Sequence, residues 1–314
     1  MKIFFLGTPD FAVPPLKALA ALAGHSVCGV ITNPDQPSGR QLKLKPPPVK
    51  TAALELGIPV YQPEKFNTDE TLDILKASGA DLLAVVAYGK IIGDKILAEF
   101  KDRVINLHPS LLPKYRGVAP YQWALINGET VTGVSIIYLI KQLDAGDIIL
   151  QQKYDIKTED NAKTLHDTLC LMGADLLCEA ATAIAGNKAA RIAQDESSAT
   201  YYKKIDKAMG KIDWSLSAET ISNLVRGLYF WPSAYTFINS DMIKIHEASP
   251  APEYHNHNSA PGTVISACEK NGLIIACGHN TALKIKTLQL ASRNIQSYDS
   301  FLRGNKISRD IILN

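Results

Sequence analysis

The chain has 314 residues, 46% of them hydrophobic and 20% charged, with 33 Lys and Arg against 31 Asp and Glu for a net charge of +2. That length admits two domains of roughly 100–200 residues each, and the composition excludes disordered, collagen-like and disulfide-scaffold chains. The balance of charge gives no global attraction to a polyanion, so any nucleic-acid partner must be met by a local patch.

Residues 2–6 read as a first, buried strand. Gly7-Thr8-Pro9 makes a turn, and Asp10 is placed to cap a helix running to about Leu22. That turn also interrupts the apolar start too early for an export signal. Residues 27–31 form a second strand, and the order strand, helix, strand predicts a right-handed parallel crossover. The loop over 33–50 has five prolines and carries Arg40, Lys43, Lys45 and Lys50, with no acid between Asp35 and Glu55. Its length and charge suit a polyanion, and equally an irregular solvated loop with incidental lysines. Strands are expected at 60–61, 81–87 and 104–108, and helices at 49–56, 68–77, 93–100 and 119–127. Strands 134–140 and 147–152 are joined by so short a loop that the sheet should end antiparallel.

A long helix over 161–185 stops at Gly186. Residues 187–212 are polar and aperiodic, as in a linker. A helix over 217–228 is broken by Trp231-Pro232. Five short β runs follow, at 234–238, 243–247, 263–267, 273–276 and 282–290, which predict a small barrel or sandwich. No apolar run approaches the ~18 residues of a membrane span. Cys28, Cys170, Cys178, Cys268 and Cys277 form no CxxC pair and suit reduced thiols in a cytoplasmic protein, and no metal-ligand cluster is seen.

The chemistry concentrates in residues 104–117, Val-Ile-Asn-Leu-His-Pro-Ser-Leu-Leu-Pro-Lys-Tyr-Arg-Gly. Side chains alternate along a strand, so Asn106 and His108 share a face where the strand runs into a Pro-interrupted loop. In an open α/β sheet that edge is where ligands bind. Asp144, in Leu143-Asp144-Ala145-Gly146-Asp147, is the candidate third member, and a plain turn-former otherwise. An amide can hold an oxyanion, an imidazole can carry a proton, and a carboxylate can orient the imidazole or accept that proton. No nucleophile elbow, phosphate loop or dinucleotide fingerprint is present. That pattern favours direct transfer between two bound substrates.

These segments resemble the folate-dependent formyltransferase family. The opening Phe5-Leu6-Gly7-Thr8-Pro9-Asp10-Phe11-Ala12, the basic loop, Ile212-Asp213-Trp214 and Arg226 with Trp231-Pro232 are similar to the branch of that family that formylates initiator methionyl-tRNA. The resemblance implies an α/β fold: an N-terminal Rossmann-like, mostly parallel sheet with helices on both faces, plus a C-terminal OB-like β-barrel. It implies a catalytic domain at 1–186, a linker at 187–206 and a tRNA-binding domain at 207–314. Asn106, His108 and Asp144 match the family's catalytic trio. Ser110, Leu111, Leu112 and Pro113 match its folate-contact segment. Arg40, with Lys43 and Lys45, matches the loop that reaches tRNA. The implied donor is 10-formyltetrahydrofolate, with no metal, and the implied enzyme is a cytoplasmic monomer serving translation initiation, with no membrane association. Departures fall at Gln36, Gln41 and Gln142 and in Arg226–Pro232, away from the trio. An acceptor such as glycinamide ribonucleotide or an amino sugar would use the same trio. A non-catalytic tRNA-binding protein would have no use for it.

Overall fold

The computed structural model describes residues 1–38, 43–305 and 307–314. It divides into two units. One holds 1–117, 131–155 and 166–202, and the other holds 118–130, 156–165 and 203–314.

The first unit is built on eleven strands among the described residues. These are β1 (Lys2–Gly7), β2 (Ser26–Ile31), β3 (Gln36–Ser38), β4 (Lys43–Lys45), β5 (Val60–Tyr61) and β6 (Leu82–Val86). They continue as β7 (Val104–His108), β8 (Arg116–Gly117), β9 (Val131–Tyr138), β10 (Ile148–Asp155) and β11 (Tyr201–Tyr202). Seven of them form one sheet in the order β10-β9-β7-β6-β1-β2-β5. Pairing is parallel from β7 to β5. It turns antiparallel at β9 and β10, as the short connection between them requires. The central strand β6, Leu-Leu-Ala-Val-Val, is buried at every position, which is what a strand covered on both faces demands. Chain order runs outward from β1 in both directions, so the topology reverses between β1 and β6, and in open α/β sheets ligands bind beyond the C-terminal strand ends at such a reversal.

Both faces are covered. Leu75 of helix Asp69–Ala77 and Ile96 of helix Asp94–Glu99 pack with Phe4, Leu6, Leu83, Val85 and Val104 on one face. Helix Ala162–Ala185 crosses the other face, where a Cβ on Gly173 would stand 2.6 Å from Leu107 Cδ1. By length and composition this helix could span a bilayer, contrary to the expectation that no run comes near that. Here Leu169, Cys170, Ala174, Leu177, Ala180 and Ala181 are buried, as in the core helix of a globular unit. The helix expected from Asp10 begins instead at Val13, after a short 3-10 turn. Asp10 accepts a hydrogen bond from its neighbour Phe11 N–H at 3.1 Å and lies 3.4 Å from His166 Nε2, and it caps no helix.

Within the basic stretch, β3 and β4 pair as a two-stranded antiparallel ribbon. The polar segment after helix Ala162–Ala185 is also held. Ile192 bridges to Ile148, and β11 pairs parallel with β8.

The second unit carries β12 (Ala234–Ile238), β13 (Asp241–Pro250), β14 (Val264–Cys268), β15 (Gly272–Ala276), β16 (Ala282–Leu290) and β17 (Gln296–Ser297). Its sheet runs β12-β13-β16-β15-β14, antiparallel throughout, with β17 also paired to β16. The C-terminal residues join its two edges. Asn314 exchanges backbone hydrogen bonds with Phe237 of β12, and Ile311 accepts from Val264 N–H of β14. Closure in this way removes exposed strand edges. Trp214, Ile221, Val225, Ile245, Ile275 and Leu283 fill the interior. Trp214 keeps its indole N–H satisfied on Thr236 Oγ1 at 3.0 Å.

Candidate active site

The pleat of β7 puts Leu107 toward helix Ala162–Ala185 and Asn106 and His108 on the opposite face. Asn106 is half-buried, and its carboxamide is not committed to any partner among the described residues. His108 is 4% exposed. Its Nε2 lies 2.8 Å from the carbonyl of Tyr115. A carbonyl can only accept, so Nε2 carries a proton and Nδ1 is the ring atom left for chemistry.

Nδ1 faces Asp144, 3.7 Å from Oδ2, with 5% and 12% of the two side chains exposed. That is ion-pair range and longer than a hydrogen bond. Oδ2 is fixed from the other side by Gly117 N–H at 2.9 Å. Residues 115–117 therefore hold both partners: Tyr115 through its carbonyl, Gly117 through its amide. Asp144 sits at φ +50°, in the left-handed region, within the turn from β9 to β10. Gly146 follows, where a Cβ would stand 1.7 Å from Tyr138 O, so only glycine fits this turn.

The Ser110–Pro113 segment is folded tightly beside His108. The Ser110 hydroxyl donates to Lys114 O at 2.7 Å, and Ser110 O accepts from Ser135 Oγ at 2.6 Å. Ser135 Oγ also accepts from Leu112 N–H at 3.2 Å and from Gln151 Nε2 at 2.8 Å. Ser110 and Leu112 are buried, whereas Leu111 and Pro113 keep part of their surface open. The ends of β1, β2 and β6 are tied nearby in sequence register: Thr8 Oγ1 and Asn33 Nδ2 both donate to the carbonyl of Tyr88, at 3.3 and 3.2 Å.

Of the basic residues, Arg40 lies outside the described residues, and Lys43 is described only as backbone of β4. Lys45 is exposed. The base of the ribbon is anchored by Asp35, which accepts from Lys50 Nζ at 2.9 Å and Gln62 Nε2 at 2.8 Å. Hydrogen bonds from Gln62 and then Lys50 hold the Asp35 carboxyl below the usual carboxylate range.

Sequence reasoning missed the residues behind Asp144. Gln194 Nε2 donates to the carbonyls of Asp144 and Gly146, each at 2.8 Å. Arg116, fully buried, donates to Gln194 Oε1 from Nε and Nη2 at 3.1 and 2.8 Å. It also pairs two-pronged with Glu196 at 2.9 and 2.7 Å and bonds the Tyr201 hydroxyl. The Glu196 hydrogen bond, ahead of opposing burial, raises Arg116 above its ordinary value. Gln194 and Glu196 lie in an aperiodic polar stretch with nothing local to mark them.

Comparison with known proteins defines the class. Residues 1–181 match the family model described as formyl transferase, and residues 204–306 match formyl transferase, C-terminal domain. The chain belongs to the formyl transferase family. Among curated relatives, the methionyl-tRNA formyltransferase of Listeria innocua is 43% identical over 303 residues, covering 96% of this chain and 95% of the relative. That of Bacillus subtilis is 41% identical over 314 residues, covering 99% and 97%. Among solved structures, the N-formyltransferase from Helicobacter canadensis superposes with a TM-score of 0.66 at 20% identity, over 93% of this chain and 100% of that one. A sugar 3N-formyl transferase, WlaRD, gives 0.67 at 22%, over 94% and 99%. At those identities the structural likeness speaks to fold alone.

Proposed function

We infer that this chain transfers the formyl group of 10-formyltetrahydrofolate to the α-amine of methionine esterified to initiator tRNA. Full-length similarity to methionyl-tRNA formyltransferases supports the acceptor. The observation that carries the site is the approach of His108 Nδ1 to Asp144, 3.7 Å apart and nearly buried, beside an uncommitted Asn106 amide.

Those residue types fit a formyl donor. The folate supplies a formyl carbonyl open to attack by an amine. Asn106, a neutral donor, stabilises negative charge growing on the carbonyl oxygen without changing its own charge. Protonated on both ring nitrogens, His108 offers a second donor through Nδ1, because its Nε2 proton is held by the Tyr115 carbonyl. Asp144 faces that nitrogen and stands ready to take the proton the attacking amine must lose and to return it to the folate nitrogen as the formyl C–N bond breaks, releasing tetrahydrofolate. Leu111 and Pro113 offer apolar surface for a pterin, with Ser110 and Leu112 as the buried frame beneath. Residues 1–186 would serve as the catalytic domain and 207–314 as the domain that holds tRNA, joined through 187–206. Lys45, with Arg40 and Lys43, would meet the phosphates of the acceptor stem. The five free cysteines agree with a reducing cytoplasm, and the reading carries a monomer.

The test is transfer of labelled formyl to methionyl-tRNA, with an amino sugar nucleotide and glycinamide ribonucleotide as parallel acceptors. Labelled methionyl-tRNA is the expected product. Label confined to a sugar or glycinamide product would replace the acceptor. No transfer to any of the three, with tRNA still bound, would replace the enzyme reading with a binding protein.

A further inference from the structure

We propose that Gln194 is a positioning residue for formyl transfer, holding the 144–146 turn in the one conformation that presents the Asp144 carboxylate to His108. The inference rests on the catalytic reading of Asp144 given above.

The turn has reason to need a brace. Asp144 occupies a left-handed backbone conformation at φ +50°, which a residue with a Cβ adopts reluctantly. Gly146 lies so close to Tyr138 O that the chain can pass only one way. Two carbonyls of this turn, Asp144 O and Gly146 O, point toward the 192–196 segment and both accept from Gln194 Nε2 at 2.8 Å. No backbone amide among the described residues serves those two carbonyls. Without the carboxamide they would lose these hydrogen bonds, and the turn would be free to rotate toward water.

The carboxamide can face only one way. Its oxygen receives Nε and Nη2 of Arg116, at 3.1 and 2.8 Å, so its NH2 must face the two carbonyls. Arg116 is fixed in turn by Glu196 and Tyr201. The backbone on either side of Arg116 supplies the Tyr115 carbonyl to His108 and the Gly117 amide to Asp144. Thr200 locks that backbone. Its carbonyl accepts from Arg116 N–H at 2.9 Å, and its hydroxyl accepts from Tyr115 N–H at 2.8 Å. The imidazole and the carboxylate are thus held by one closed frame, and Gln194 is its only side-chain link, among the described residues, to the backbone of the Asp144 turn. Gln194 does not touch the Asp144 carboxylate, which leaves that group for chemistry.

A residue that acts through Asp144 should lose its effect once the Asp144 charge is gone. Gln194→Ala is expected to lower kcat by about 10–100-fold, the scale of misplacing a reacting group by an ångström, with KM for methionyl-tRNA and for the formyl donor changed less than about threefold. In an Asp144→Asn background the same substitution should change kcat less than about threefold. Gln194→Met keeps the side-chain length without donors or acceptor, so it serves where alanine unfolds the chain, and it should repeat both results. Multiplicative losses in the double variant, or a full kcat in Gln194→Met, would overturn the inference. An Asp144→Asn enzyme with undiminished kcat would instead sink the catalytic reading on which it rests.

Discussion

Two carboxylates in the first unit are each served by a glutamine and a cation, and they are served in opposite ways. Asp35 takes Gln62 and Lys50 directly on its oxygens at 2.8–2.9 Å. It is spent as an anchor at the base of a ribbon. At Asp144 the glutamine bonds the residue's own carbonyl and that of Gly146, and the cation, Arg116, bonds the glutamine. The carboxylate itself receives the Gly117 amide and faces an imidazole. The same three chemical types can thus neutralise an acid or brace the chain that carries it. The difference lies in whether the amide reaches the side chain or the main chain.

The sharpest way to break the comparison is Asp144→Asn. If Asp144 is kept for chemistry, kcat should fall on the order of 10²–10³-fold, with tRNA affinity nearly unchanged, in single-turnover formylation against tRNA titration. Asp35→Asn should leave kcat within about threefold, because no step passes through it; a comparable collapse there would erase the distinction.

Gly146→Ala comes next. A Cβ placed 1.7 Å from a backbone oxygen forces the turn to move. Loss of about 1–3 kcal/mol in urea unfolding is expected, with a kcat loss of about tenfold or more. Wild-type stability and rate would show that the turn has slack.

Lys45→Ala tests the ribbon that Asp35 anchors. The salt dependence of methionyl-tRNA binding should lose about one unit of slope, with kcat at saturating tRNA unchanged. An unaltered slope would give the ribbon another role.

The smallest effect is a pH dependence at Asp35. Its folded pKa lies below the ordinary 3.8, so the stability it contributes is fully present above 3.8 and is lost as pH falls through the lower folded value. Wild type should therefore melt above Asp35→Asn at pH 6, and the two curves should converge in strong acid. A gap that widens on acidification would contradict the sign.

Much of the first unit was legible from pattern. Apolar runs bounded by Gly and Pro placed β1, β2, β6 and β7, and the short loop over 141–146, read between strands 134–140 and 147–152, foretold the antiparallel end. The five β runs of the second unit fell close to where alternation and turn signals put them. Helix Tyr298–Gly304 had no clear signal, and closure of the sheet by residues 311–314 depends on pairings to strands some 50 and 75 positions away, at Val264 and Phe237. Asn106 and His108 were readable as a pair because strand pleat alone puts them on one face.

What local order determined was therefore which residue types exist and which neighbours share a face: period two in β7, a glycine that the Asp144 turn cannot lose, a basic Pro-rich stretch after β2. What only the folded chain decided was partnership across distance. The contact that sets the Asp144 turn apart from the Asp35 anchor comes from Gln194, fifty residues away. Hydrogen bonds between side chains and remote backbone have no periodicity to leave in a sequence. They arise when packing brings already formed turns together, so composition could describe residues 187–206 only as polar.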